Sequence, residues 1–412
     1  MGASSRDGDR LAEWAAAFLP IDLRLLLSSA RASPDIVELH ELLPRMTWPS
    51  AIELSVREGA QPVFSRKLRA AGSDVLPAAV AEELRQLERA AALRQTRLQQ
   101  RLEELLEALS AAGVPVVLLK GAAVAVTTPG GFAERPMSDL DLLVEARHAR
   151  DAFAIASRCG WRRAYDREFD WIYRTMHHLP PLRDERSGAM AIGLELHTDI
   201  LPPAGNPFAF SARELWGEAI HAPGLPDGIR VPSVRHRLLH CCIHFAWSHR
   251  LCSGAWKAYR DVTAIASDGW FDWNGFAGLA ESSRATACVF WTLRQARALV
   301  GARIPSDVLE RTKPTLPDSL IQLLERHLSA NIVETALMCP SERVRAWLWR
   351  IAIRPDRDMY GAEPRRVEEG LPWHLLIGDD GGSARRGVRR TSLSPRAWRR
   401  YLATLYGSSS LR

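Results

Sequence analysis

The residues best suited to chemistry are Ser138-Asp139-Leu140-Asp141-Leu142-Leu143-Val144, where acids and leucines alternate. Successive side chains of a strand point to opposite faces, so Asp139 and Asp141 share one face while Leu140 and Leu142 turn toward a core. Two carboxylates about 6 to 7 Å apart along a strand repel each other unless a cation lies between them, and hard divalent cations prefer oxygen ligands. The pair suits Mg²⁺ bound with a triphosphate. By itself the triplet also fits two solvated acids at a strand edge.

A second feature is Leu118-Leu119-Lys120-Gly121-Ala122, directly after an apolar run from Val114. Gly121 would let backbone N–H groups approach a phosphate, and a helix starting there would aim its positive end at the anion. Lys120 is one of only four lysines among 54 basic residues, which favours a specific role over that of a plain strand-end lysine. Arg135, four residues before Asp139, is spaced to reach phosphate oxygens, and Gly130-Gly131 is an alternative phosphate loop. The third feature is Leu194-Glu195-Leu196-His197-Thr198-Asp199, which places Glu195, His197 and Asp199 on one face of a strand near whose end Asp199 falls. A two-metal site needs a third carboxylate as shared ligand or base. Glu195 is the first choice, with His197 beside substrate or supporting a ligand; a half-exposed strand with a polar face is the plain alternative.

Together LLKG at 118–121, RPMSDLDLLV at 135–144 and ELH at 195–197 resemble the uncharacterised bacterial nucleotidyltransferase family within the DNA polymerase beta-like nucleotidyltransferase superfamily. The resemblance is strong over 114–200 and looser to about 265, through Leu238–His244 and Arg260-Asp261. It implies two Mg²⁺ ions on Asp139, Asp141 and Glu195. It also implies an NTP, with ATP as first candidate, whose triphosphate lies against Lys120, Gly121, Arg135 and Ser138. The reaction it implies transfers a nucleoside monophosphate to a hydroxyl of a small molecule, peptide or protein, a peptide acceptor suggesting the tailoring of a modified peptide. Lys-Gly-Ala stands where that superfamily usually has a Gly-Ser turn, and Glu195 where Asp is commoner.

His178, in His177-His178-Leu179-Pro180, is a substrate-side candidate by the same resemblance. His236, His240 and His244 recur every four residues on one helix, with Cys241, Cys242, His249 and Cys252 nearby. Three such ligands spread over about 12 Å, too far for one tetrahedral zinc, so His244 is expected to face the substrate and the others to be packed or solvated.

The elements that must position these groups divide the chain into four regions: helical 1–113, a mixed α/β core 114–205, helical 206–340 and an extension 341–412. The spacing predicts a long helix over 77–112, strands over 114–119, 138–144, 169–173 and 191–199, and helices over 148–159, 233–249, 255–267, 284–300 and 316–330. The expected fold class is α+β, a small mixed sheet between helical flanks. With 412 residues, 25% charged and 47% apolar, the composition is that of a globular protein, and a fibrous or wholly disordered chain is excluded.

Six sparse cysteines, an N-terminus without an apolar signal segment and no clean run of about 18 apolar residues predict a cytoplasmic protein with no membrane span. The arginine bias suggests a high-GC bacterium. Residues 381–412 hold eight Arg and no acid, against a net charge of +6 for the whole chain. That tail is a candidate footprint for an anionic partner, RNA or a leader peptide. The alternative function is accordingly a catalytically weak NTP-binding or antitoxin-like protein acting through partner or RNA binding.

Overall fold

The computed structural model describes residues 4–33, 35–72, 76–165, 173, 176–190, 192–202, 206–335, 337–353 and 394–406. Among the described residues seven strands form one mixed sheet: β1 (Val116–Leu118), β2 (Asp139–Leu143), β3 (Trp161–Arg163), β4 (Leu182–Asp184), β5 (Gly193–His197), β6 (Ala219–Ile220) and β7 (Ile229–Pro232). Their order is β3-β4-β5-β2-β1-β7-β6. The central strand β2 runs parallel to β5 and antiparallel to β1, and β1 runs parallel to β7. Central strands covered on both faces need apolar residues throughout, which accounts for the unbroken burial of Val116-Val117-Leu118.

The two faces differ. Leu118, Leu140, Leu142, Leu194 and Leu196 pack on Leu98, Leu102, Leu105 and Leu109 of the long helix Ala78–Ala111, and on Ala152 and Ile155 of helix Ala149–Arg158. Val117, Leu119 and Leu143 join the larger helical core, with helices Val234–Ile243, Ala255–Ala266 and Thr286–Val300. Alternation along β2 therefore directs Asp139 and Asp141 to the face that meets the helical body. A mixed sheet with helices before and after it is the α+β class expected.

Several elements depart from expectation. Residues 169–172 of the strand expected over 169–173 lie outside the described residues. Strands β3 and β4 were not foreseen because three residues show no usable period. Arg101 fixes them to the long helix, fully buried with Nε 3.0 Å from Asp184 and its guanidinium 5.3 Å from the centre of the Trp161 ring. The sheet also continues past residue 205 through β6 and β7. The helix expected over 233–249 ends as an α-helix at Ile243 and continues as a π-turn, His244–Ser248. Further helices occupy Trp273–Ser282, Ser306–Thr312 and Glu342–Ile353.

Arg385, Arg386, Arg389 and Arg390 lie outside the described residues. The end of the tail is a docked helix, Pro395–Tyr406, with Tyr401 buried, Trp14 Nε1 donating to the carbonyl of Thr404 at 2.8 Å, and Arg396, Arg399 and Arg400 exposed. All six cysteines are free thiols. Among the described residues no helix is long and apolar enough to cross a membrane.

Candidate active site

The register of β2 against β5 sets the geometry. Asp139 lies opposite Gly193, Asp141 opposite Glu195 and Leu143 opposite His197. In-register parallel strands project opposed residues to the same face, so Asp141, Glu195 and His197 converge. Their ligand atoms all lie within 4.8 Å of one another. His197 Nε2 is 2.9 Å from Asp141 Oδ1 and 3.3 Å from Glu195 Oε2.

Lys120 reaches the same carboxylate from β1. The Leu119 N–H donates to the Asp141 carbonyl at 2.9 Å, tying the end of β1 to β2. Helix Lys120–Thr127 begins at the next residue, whose φ of +45° belongs to the left-handed region. A non-glycine residue there costs about 1 to 2 kcal/mol and persists only where its surroundings require it. The turn delivers Lys120 Nζ to Asp141 Oδ1 at 2.7 Å. Gly121 follows because a Cβ there would stand 3.2 Å from Met137 Sδ.

These charges reset one another. Burial raises the pKa of Asp141, but the Lys120 ammonium and the His197 hydrogen bond overcome it and hold the carboxyl well below its usual range. Glu195 is lowered in the same way, against burial, by the His197 hydrogen bond and Lys120. His197 and Lys120 are correspondingly raised, burial opposing and the carboxylates prevailing. Asp139 is different. It is exposed at the start of β2, yet enough protein surrounds it that desolvation, followed by the Asp141 charge, raises its pKa. Asp139 and Asp141 thus sit in opposed environments two residues apart.

Six of the twelve histidines gather on the Lys120 side, namely His177, His178, His197, His240, His244 and His249. His178 bridges to His197 across a β-bridge, and the rings of His177, His178 and His197 lie 5.0 to 5.5 Å apart in pairs. His240, His244 and His249 form a second contact chain, with centroids at 6.1 and 4.5 Å. The π-turn makes that chain. The His249 N–H donates to the His244 carbonyl at 3.1 Å, and Arg250 and Leu251 then take φ of +53° and +57°. Such π-turns recur at functional sites. Burial lowers the pKa of every one of these imidazoles except His197, to about 2 at His177, about 3 at His240 and about 4 at His249. The helix histidines form no metal-binding group among the described residues. His236 instead shares a hydrogen bond with Ser233, Nδ1 to Oγ at 2.7 Å.

Arg135 is engaged elsewhere. Its guanidinium donates from Nε to Asp261 Oδ1 at 2.6 Å and from Nη2 to Asp261 Oδ2 at 3.0 Å. Ser138 is exposed, its hydroxyl donating to Asp139 Oδ1 at 3.2 Å. Asp199 lies past the end of β5 and accepts from the backbone N–H of Ile200 and Ala212.

Sequence reasoning missed two positioning residues. Gln95 of the long helix donates to the Met137 carbonyl at 2.9 Å and accepts from the Met137 N–H at 3.3 Å, fixing the backbone two residues before Asp139. A polar side chain beside an apolar stripe was its only signal. Gly193 leaves room for Asp139, whose Cβ would lie 3.3 Å from a Cβ at that position.

The sequence model of a family described as uncharacterised nucleotidyltransferases matches residues 44–301. The match spans more than half of the chain, which belongs to that family, and a nucleotidyltransferase is a transferase that uses a nucleoside triphosphate and a divalent metal. Comparison with curated proteins found no match, and comparison with solved structures found none.

Proposed function

We propose, from that membership, that the protein moves a nucleoside monophosphate from an NTP, ATP first among them, to a hydroxyl of a small molecule or peptide. The acceptor oxygen attacks the α-phosphorus, the bond from that phosphorus to the bridging oxygen breaks, pyrophosphate leaves, and the hydroxyl proton passes to a carboxylate. The observation that carries this reading is the convergence of Asp141, Glu195 and His197, with Lys120 on the same oxygen.

The donor set fits a divalent cation. Asp141 and Glu195 are carboxylates of lowered pKa whose oxygens lie close together, and Asp139 stands at the rim beside them. These residues would hold Mg²⁺, as two ions, which when bound neutralises triphosphate charge and eases deprotonation of the attacking hydroxyl. Lys120 supplies a fixed positive charge at the same point. Glu195, about one-third exposed and hydrogen-bonded to His197, is placed to take the acceptor's proton. The neutral histidine wall, with His178 and His244, offers donors and acceptors without charge, which suits an uncharged hydroxyl-bearing acceptor better than a second anion. Positioning and charge complementarity do most of the work in such transfers.

The test is thermal stabilisation by each of the four NTPs, with and without Mg²⁺, in wild type and Asp141→Asn. A Mg²⁺-dependent rise in Tm that the substitution abolishes is expected. If no NTP shifts the wild type under either condition, the reading fails.

A further inference from the structure

We propose that Lys257, on helix Ala255–Ala266, is the ammonium that binds the triphosphate, in place of the sequence candidate Arg135. The proposal rests on the nucleotidyl-transfer reading and names a residue which that reading leaves out.

The placement comes from three fixed points. Helix Ala255–Ala266 carries Lys257 and Asp261 one turn apart, hence on one face. Asp261 grips Arg135 with both oxygens, so the Arg135 guanidinium is already neutralised while its backbone leads directly to Ser138 and Asp139. At the other end, the buried Glu58 carboxyl, just after helix Trp48–Arg57, faces the first turn of the helix, where the backbone of Gly254 and Trp256 and the Lys257 charge favour its ionised form against the burial that raises its pKa. The Lys257 stem lies over Gly59, where a Cβ would stand 2.8 Å from Lys257 Cε, and the φ of +66° at Gly59 independently calls for glycine. The stem is therefore seated in a fitted groove.

Its ammonium is uncommitted. Lys257 takes part in no hydrogen bond or ion pair among the described residues, whereas Lys120 is bonded to Asp141, Lys67 to the Arg31 carbonyl and Lys313 to Asp318. The charges around it are Arg135, Asp139, Glu58 and Asp261, and burial followed by Arg135 lowers its pKa. An ammonium of this kind, partly desolvated, within reach of the Asp139 charge and without a partner among the described residues, is poised for an anion arriving at the carboxylate rim. Two of the chain's four lysines thus flank the acidic strand, Lys120 from the sheet side and Lys257 from the helical side.

The experiment uses inorganic tripolyphosphate with Mg²⁺ on the full chain. Calorimetric titration of wild type and Lys257→Met is expected to show affinity weakened by at least roughly tenfold, the loss of one charge-assisted hydrogen bond. Amine acetylation of the wild type, followed by mass spectrometry, needs no variant to fold. Saturating tripolyphosphate is expected to protect Lys257 and to leave Lys313 reactive. Unchanged Lys257 labelling in protein that has demonstrably bound tripolyphosphate would overturn this assignment and leave nucleotidyl transfer standing. A wild type that binds neither tripolyphosphate nor any NTP would remove both.

Discussion

Arg135 and Asp261 close a two-pronged ion pair across 126 residues of chain, locking the segment before the acidic strand to the helical body. Both side chains are about nine-tenths buried. Removing one partner strands a buried charge at a cost of about 3 to 5 kcal/mol. Asp261→Ala should lower unfolding free energy by that order in urea titration, while Arg135→Met with Asp261→Met should recover most of it. A double substitution as unstable as the single one would show that the pair is not what fixes this junction.

Gln95→Leu removes both hydrogen bonds to Met137 and leaves a buried N–H and carbonyl unpaired, for about 1 to 3 kcal/mol. The fold should survive. Mg²⁺-NTP binding should weaken as well, because the backbone leading to Asp139 loses its anchor. Binding of wild-type strength in a folded Gln95→Leu protein would reduce Gln95 to a structural role.

Gly193→Val places a branched side chain against Asp139, where even a Cβ lies at 3.3 Å. Displacement of a reactive group by an ångström can cost about a hundredfold in rate. The variant should keep its circular dichroism spectrum and lose nucleotide-dependent stabilisation. Retention of both would mean that Asp139 can turn aside without consequence.

Stability should depend on pH through buried histidines whose pKa the fold lowers. His327, on helix Asp318–Ala330, is lowered to about 4, chiefly by burial, and shares a 2.5 Å hydrogen bond with Tyr401. His249 is likewise lowered to about 4 and His240 to about 3. Each stays neutral in the folded chain but takes up a proton near pH 6.5 when unfolded, so the unfolded state binds more protons below that pH. Unfolding free energy should be full above about pH 6.5 and fall as the pH drops toward 4. His327→Gln should flatten part of that slope and loosen the C-terminal helix, seen as faster proteolysis near Tyr401. A slope unchanged by the substitution would remove His327 from the account.

Much of the site was legible because period two is a local property. Asp139 with Asp141, and Glu195 with His197, announce their common faces without knowledge of any neighbour, and the leucine stripe of Ala78–Ala111 announces its helix. What local pattern cannot carry is register. That Asp141 faces Glu195, that Arg135 is taken by Asp261, and that His240 and His249 approach Lys120 all depend on packing between distant segments. Strands β3, β4 and β6, of two or three residues, are too short to show a period. β7 lay hidden because its partner β1 comes more than a hundred residues earlier.

That pairing bears on how the molecule is made. Val116 lies beside Ile229, and Leu119 at the end of the same strand positions Lys120. Contacts of such long sequence separation form late, since loop closure must precede the reward of pairing. During synthesis the acidic strand emerges well before β7 and Asp261, so a nascent chain presents its carboxylates with neither the far edge of the sheet nor the clamp on Arg135. Competence for chemistry therefore arrives in one late step, and chains that terminate before residue 261 should accumulate as inactive and aggregation-prone products.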